Sequence, residues 1–192
     1  MALEKEKARL KELIVDNALV VSREPIRLSS GLETDHYYDL KKVLGDAEGL
    51  RLIGILMLEE INKLGEVRSV GGLETGAIPI AIAISRESWQ NENLHSFFVR
   101  KDAKAHGLKN LIEGEAIEPV VVVDDVITKG DSVLKAIDAL QRKNIPMKGV
   151  VSIIDRGGGK NNLQEIWKLK HISLFEDSDF NEAIKLKKEL NA

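Results

Sequence analysis

An α/β protein with an open, mostly parallel sheet is the fold this sequence predicts, and three observations predict it. Short β-rich segments alternate with helical ones from about residue 68 to 168, the order expected of βα units. The segment PVVVVDD (119–125) is apolar without alternation, as a strand is when helices cover both faces of its sheet. Hydrophobic residues make up 43% of the chain but aromatics only 4%, so Val, Ile and Leu must fill the interior.

Each element follows from its pattern. Leu10, Leu13, Ile14 and Ala18 have helical spacing and predict an amphipathic helix over about 4–18. Ser29-Ser30-Gly31 and the two tyrosines after it predict a loop or hairpin with an exposed tip. A second helix is expected over about 46–64, with Gly65 as its C-cap. Then come RSVGG (68–72), a helix near 77–87, HSFFVR (95–100), PVVVVDD, a helix near 132–143 with Val133, Leu134, Ile137 and Leu140 in one stripe, KGVVSIID (148–155) and a helix near 161–168. A strand-like HISLF and a helix near 179–190 close the chain, with Asp179 and Glu182 at capping-box spacing. Between HSFFVR and PVVVVDD lies an irregular stretch longer than most loops in small domains. It holds Arg100, Lys101, Lys104, His106 and Lys109 with Asp102 as the one acid among them.

The 192 residues suit a single domain with its own core. Within it, about 1–64 are expected to form an N-terminal helix and hood, 65–176 the core, and 177–192 a C-terminal helix. There is no cysteine, which excludes a disulfide framework, a thiolate metal site and a thiol nucleophile. His36, His95, His106 and His171 are too scattered for a zinc motif. The charged N-terminus and the lack of a long apolar run predict a cytoplasmic protein with no membrane contact. A net charge of −3 gives no basis for nucleic-acid binding. His95 and His171 flank apolar strands and read as structural, while Trp89 and Trp167 read as covers for core edges.

The strongest chemical signal is VVVVDDVITKGDS (120–132). A buried strand delivers Asp124 and Asp125 to the sheet's C-terminal edge. Thr128, Lys129, Gly130, Asp131 and Ser132 then make a tight turn into a helix. Amide groups in such a turn and at a helix start favour a phosphate, and the adjacent acids can accept hydrogen bonds from sugar hydroxyls. A buried βα turn whose acids merely cap a helix is the plainer reading of the acids alone; strand, acid pair, threonine and glycine turn in that order favour a phosphorylated sugar. GGLETGA (71–77) is by itself an ordinary strand-to-helix turn, and RGGGK (156–160) lacks P-loop spacing.

The 120–132 segment resembles the binding motif for phosphoribosyl pyrophosphate (PRPP) in the type I phosphoribosyltransferases. LSSGLETDHYYDL (28–40), GGLETGAIPIA (71–81), FVRKDAKAHG (98–107) and SIIDRGGG (152–159) resemble the orotate phosphoribosyltransferase branch. The resemblance covers about residues 10–176. It implies the type I fold, with a central mostly parallel sheet flanked by helices, a small hood and a flexible catalytic loop. It implies transfer of the phosphoribosyl group to orotate, with Mg²⁺ as cofactor and Asp124 and Asp125 reaching the ion through water. It implies that Lys101, Lys104 and His106 are catalytic with Asp124 and Asp125. By the same resemblance Arg100, Thr75, Gly76 and the 128–132 turn bind PRPP, while Ser30, His36, Tyr37, Thr128 and Arg156 meet orotate. A homodimer is implied in which loop 100–110 serves the neighbouring site.

Two departures stand out. Thr34-Asp35-His36 replaces the Ser-Pro-aromatic pattern, and Asp131 stands where Gly, Ser or Thr is usual. Each acid must face away from its anionic ligand. Two alternatives remain beside orotate: a purine or uracil transferase of the same fold, which Arg156 disfavours because neutral bases need no carboxylate partner, and a non-catalytic PRPP sensor, which the cationic loop disfavours.

Overall fold

The computed structural model describes residues 3–27, 31, 33–102, 110–157, 163 and 167–191. Helix α1 (Glu4–Leu13) widens into a π-helical turn (Ile14–Ala18), so the single predicted helix changes its winding near its end. Strands β1 (Leu19–Arg27) and β2 (Glu33–Tyr38) form an antiparallel hairpin; its Ser29 and Ser30 lie outside the described residues. After a short α2 (Lys41–Leu44), the long α3 (Ala47–Asn62) starts where the Asp46 side chain accepts a hydrogen bond from Gly49 N–H, a capping contact. The helix caps at Lys63, not at Gly65 as expected; Gly65, at φ +84°, turns the chain just beyond it.

The core sheet comprises β3 (Ser69–Leu73), β4 (His95–Val99), β5 (Ile112–Gly114), β6 (Val120–Ile127), β7 (Met147–Asp155) and β8 (Lys170–Glu176). Their order is β5-β4-β3-β6-β7-β8, parallel except for β5. Helices α4 (Ala77–Ser88) and α5 (Asp131–Gln141) connect strands. A 3₁₀ turn (Asp177–Phe180) leads into α6 (Asn181–Leu190). Val120–Val123 are fully buried, as their unbroken apolar run predicts. Their side chains alternate between two cores, Val121 and Val123 on one face and Val120 and Val122 on the other.

Three expectations need correction. The irregular stretch before β6 contains β5, which completes the sheet edge against β4. The capping box joins Glu176 and Asp179 around the 3₁₀ turn, not Asp179 and Glu182; Asp179 Oδ2 accepts from Glu176 N–H at 2.8 Å. Trp89 is 70% exposed and covers no core edge, whereas Trp167 packs on the second core as expected. Within the helix expected near 161–168, Leu163 and Trp167 are helical and Lys168 is not, while residues 161–162 and 164–166 lie outside the described residues.

Helix α6 returns to the hood. Lys187 Nζ donates to the Val15 and Leu19 carbonyls at 2.6 and 2.8 Å, which ties the end of the chain to its beginning. No helix among the described residues is long and apolar enough to cross a membrane.

Candidate active site

Strand β3 is followed in sequence by β4 on one side, but its other neighbour is β6. The chain therefore reverses its direction of travel across the sheet between β3 and β6, and a crevice opens at the C-terminal ends of those two strands. A cleft of about 300 Å³ lies there. Tyr37, Tyr38, Lys41, the 73–76 turn, Lys101, Asp124, Asp125, Val126, Thr128, Ser132 and Arg156 line it.

The acids stand within β6, a little before its end. Asp124 is 7% exposed and its Oδ1 accepts from Asp125 N–H at 3.0 Å; Asp125 Oδ1 accepts from Val126 N–H at 2.8 Å. Burial first, and then the neighbouring Asp125 charge, push the Asp124 pKa well above the ordinary carboxylate range. A buried carboxylate beside a half-buried one is held at a cost, and polar hydrogens or a cation arriving in the cleft would relieve it. A Cβ on Gly76 would meet the Asp125 carboxylate at 3.0–3.1 Å. Glycine at 76 lets the 73–76 turn close on that acid without displacing it.

Beyond Asp125, residues Thr128–Ser132 frame a smaller recess with Asp124. Gly130, at φ +86°, bends the chain into α5, a conformation that glycine adopts readily. The first-turn N–H groups of a helix have no helical acceptor and face outwards. Asp131 and Ser132 are exposed on this rim.

The opposite wall carries Arg156. Its own N–H donates to Ile127 O at 2.8 Å, so the arginine is fastened to the strand that carries the acids. Its side chain is 8% exposed. Nη2 lies 3.0 Å from Thr34 Oγ1 and 2.9 Å from His36 Nε2, while Nε lies 3.4 Å from Asp177 Oδ1. The guanidinium also stands over the Tyr38 ring, 5.5 Å from its centre.

The sequence-predicted residues fall into three groups. Thr75, Gly76, Lys101, Asp124, Asp125, Thr128, Ser132, Tyr37 and Arg156 share the cleft, and Lys129, Gly130 and Asp131 border the adjoining recess. Arg100 and His36 do not line it. Arg100 reaches the Asp102 carbonyl at 3.3 Å and Glu113 at 4.0 Å. His36 is buried behind Arg156, because alternation along β2 turns it inwards while Tyr37 faces out. Ser30, Lys104 and His106 lie outside the described residues, as does Lys109. Asp35 is directed away from the cleft: it hydrogen-bonds Lys188 and His36, which hold its pKa down to about 2. Sequence reasoning missed Lys41 and Asp177. The DHYYDLKK run was the available signal for the first; nothing local marked Asp177.

A pocket built this way, at the switch point of this sheet, places the protein among the type I phosphoribosyltransferases. A scan against models of protein families finds no match. The orotate phosphoribosyltransferase of Aquifex aeolicus is 41% identical over 165 residues, covering 83% of this chain and 90% of the relative. That of Rhodopseudomonas palustris is 35% identical over 187 residues, 94% of this chain and 98% of the relative. Among solved structures, orotate phosphoribosyltransferase of Mycobacterium tuberculosis H37Rv in complex with PRPP superposes with a TM-score of 0.73 at 33% identity, covering 91% of this chain and 98% of that one. The chain belongs to the orotate phosphoribosyltransferase family.

Proposed function

We propose that the protein condenses orotate with PRPP to give orotidine 5′-monophosphate and pyrophosphate, a step of de novo UMP synthesis in the cytoplasm. One observation carries this reading: a carboxylate pair on β6, with the glycine bend that follows it in the adjoining recess, faces across one cleft an arginine whose backbone is bonded to that same strand.

The amides and hydroxyls of Thr128–Ser132 hold the 5′-phosphate, and Asp124 and Asp125 accept hydrogen bonds from the ribose hydroxyls. The 73–76 turn brings backbone groups to the pyrophosphate. Tyr37 covers the base, Thr128 bonds a ring carbonyl, and Arg156 pairs with the orotate carboxylate, the geometry guanidinium favours. The C1′–oxygen bond breaks and pyrophosphate departs with the electron pair. A bond forms from C1′ to the ring nitrogen of orotate, which has lost its proton. The ribosyl centre passes through an oxocarbenium-like state while negative charge grows on the leaving group. Lys101, with Arg100, Lys104 and His106 from the loop, donates to that charge where it develops.

Mg²⁺ fits this site as an ion carried on PRPP, because the buried Asp124 carboxylate stands directly beside a second one, Asp125. They would meet it through water. When bound, the ion neutralises charge on the pyrophosphate. The protein acts as a homodimer in which loop 100–110 serves the neighbouring cleft.

A base panel tests the reading. Purified protein with Mg²⁺ and PRPP is offered orotate, uracil, adenine, hypoxanthine and xanthine in parallel. Orotate alone should be consumed, with equimolar pyrophosphate. Consumption of a purine in its place would overturn the substrate, and PRPP binding with no base consumed would mark a sensor.

A further inference from the structure

The groups behind Arg156 form a connected chain that the reaction as described does not use. Asp177 Oδ1 accepts from Tyr38 Oη at 2.9 Å and lies 3.0 Å from His36 Nε2 and 3.4 Å from Arg156 Nε. His36 Nδ1 lies 2.8 Å from Asp35 Oδ1, and Asp35 is bonded in turn by Lys188 of α6. Two separate parts of the chain, β2 and the 3₁₀ turn after β8, thus converge on a guanidinium carried by the turn after β7.

His36 Nε2 cannot serve both its neighbours in the same way. Arg156 Nη2 is a donor and needs a lone pair; Asp177 Oδ1 is an acceptor and needs a proton. With His36 neutral and its Nδ1–H on Asp35, Nε2 accepts from Arg156. With His36 protonated, both ring nitrogens donate, to Asp35 and to Asp177, and Arg156 loses an acceptor. An arginine has five N–H donors. Thr34 and His36 take the two on Nη2, and Nε faces Asp177 as an ion pair at 3.4 Å, which leaves Nη1 for a ligand.

We propose that Asp177 and His36 are positioning residues of the base site: Asp177 anchors Arg156 through Nε, and His36 holds an Nη2 N–H that it yields to the carboxylate of an anionic base. The inference rests on the reading that Arg156 receives that carboxylate. Neither residue touches the base. Asp177 fixes where the guanidinium stands, and His36 sets how many of its donors face the ligand. The groups facing His36 are Thr34, Asp35 and Tyr38 on β2, Arg156 after β7, and Asp177, with Lys188 behind Asp35. The Asp177 hydrogen bond is the largest of the influences that raise the His36 pKa above the ordinary imidazole value. Protonation frees the Arg156 donor and adds positive charge beside it. By linkage, an anionic base then binds more tightly as pH falls.

Steady-state kinetics on three variants test this. In Asp177→Asn the KM for orotate should rise about tenfold, because the part-buried ion pair that holds Arg156 is lost. Its kcat and its KM for PRPP should change far less. In the wild type the orotate KM should climb between pH 6 and 8.5, a range in which a carboxylate stays ionised. In His36→Gln, which keeps a hydrogen-bonding side chain without the titration, that climb should vanish. Arg156→Ala separates the two readings. If it leaves the orotate KM intact, the base does not meet Arg156 and the proposed placement of orotate fails. If it abolishes orotate saturation while Asp177→Asn stays within twofold of wild type, or while His36→Gln keeps the wild-type pH profile, the positioning inference fails alone. A parallel loss in kcat and both KM values for Asp177→Asn would equally reject it, as a general structural defect.

Discussion

Replacing Asp124 with asparagine should make the protein more stable and its PRPP site weaker. Asp124 is almost wholly buried beside Asp125, and burial together with that neighbour raises its pKa. A raised carboxylate pKa means that stability is greatest below the unfolded value, about pH 4, and is lost as pH rises through the folded value. Asparagine keeps an Oδ1 to accept the Asp125 N–H now held at 3.0 Å, and its amide can donate where like charges met. Relief of this kind at a functional site is worth about 1–2 kcal/mol, which for a chain of this size shifts Tm by about 2–8 °C. Ribose hydroxyls would lose a charged acceptor, costing about 1.5–3 kcal/mol or roughly 10- to 150-fold in PRPP affinity. Thermal unfolding of the unliganded protein at pH 7.5 and pH 4, with PRPP titration by calorimetry, measures both effects. The variant should melt higher at pH 7.5, and the difference should shrink towards pH 4. A variant that melts lower at pH 7.5, or binds PRPP like the wild type, would refute the reasoning.

Gly76→Ala should push Asp125 aside by a few tenths of an ångström, since the new methyl meets its carboxylate at 3.0 Å; the KM for PRPP should rise about tenfold, with little change in Tm. Lys187→Met removes two charged hydrogen bonds to main-chain carbonyls and should cost about 2 kcal/mol, read as a Tm lower by about 4–8 °C with kcat retained. Lys101→Ala should cut kcat by roughly 10²-fold and leave the KM for PRPP within a few-fold, because its charge acts as the leaving group departs; equal changes in both would assign it to ground-state binding.

The parts of the site legible in the sequence are those that local pattern determines. Val120–Val123 announce a strand buried on both faces, and Asp124–Ser132 follow it in one uninterrupted run, so acids and bend are placed by chain connectivity alone. Thr75 and Gly76 follow β3 for the same reason. What could not be read depends on distant packing. Asp177 meets His36 across 141 residues, and no spacing rule links them. The resemblance puts His36 and Tyr37 together against the base, but strand alternation buries His36 and leaves Tyr37 exposed. Strand β5 has three residues, too few for a period to show, and becomes a strand only by pairing with β4. Asp179 satisfies two capping spacings, and the structure uses Glu176 because β8 runs straight into the 3₁₀ turn. Trp89 at the end of α4 looks like a core edge in sequence, yet nothing packs over it closely enough to bury it.

The central claim is that one cleft holds the sugar by Asp124 and Asp125 and its phosphate by the adjoining glycine bend. A crystal structure of the protein with PRPP and Mg²⁺ tests it most directly. The ribose hydroxyls should lie within hydrogen-bonding distance of both carboxylates, with the 5′-phosphate among the amides of residues 128–132. PRPP seated elsewhere, or a phosphate bound with that bend unoccupied, would contradict the account.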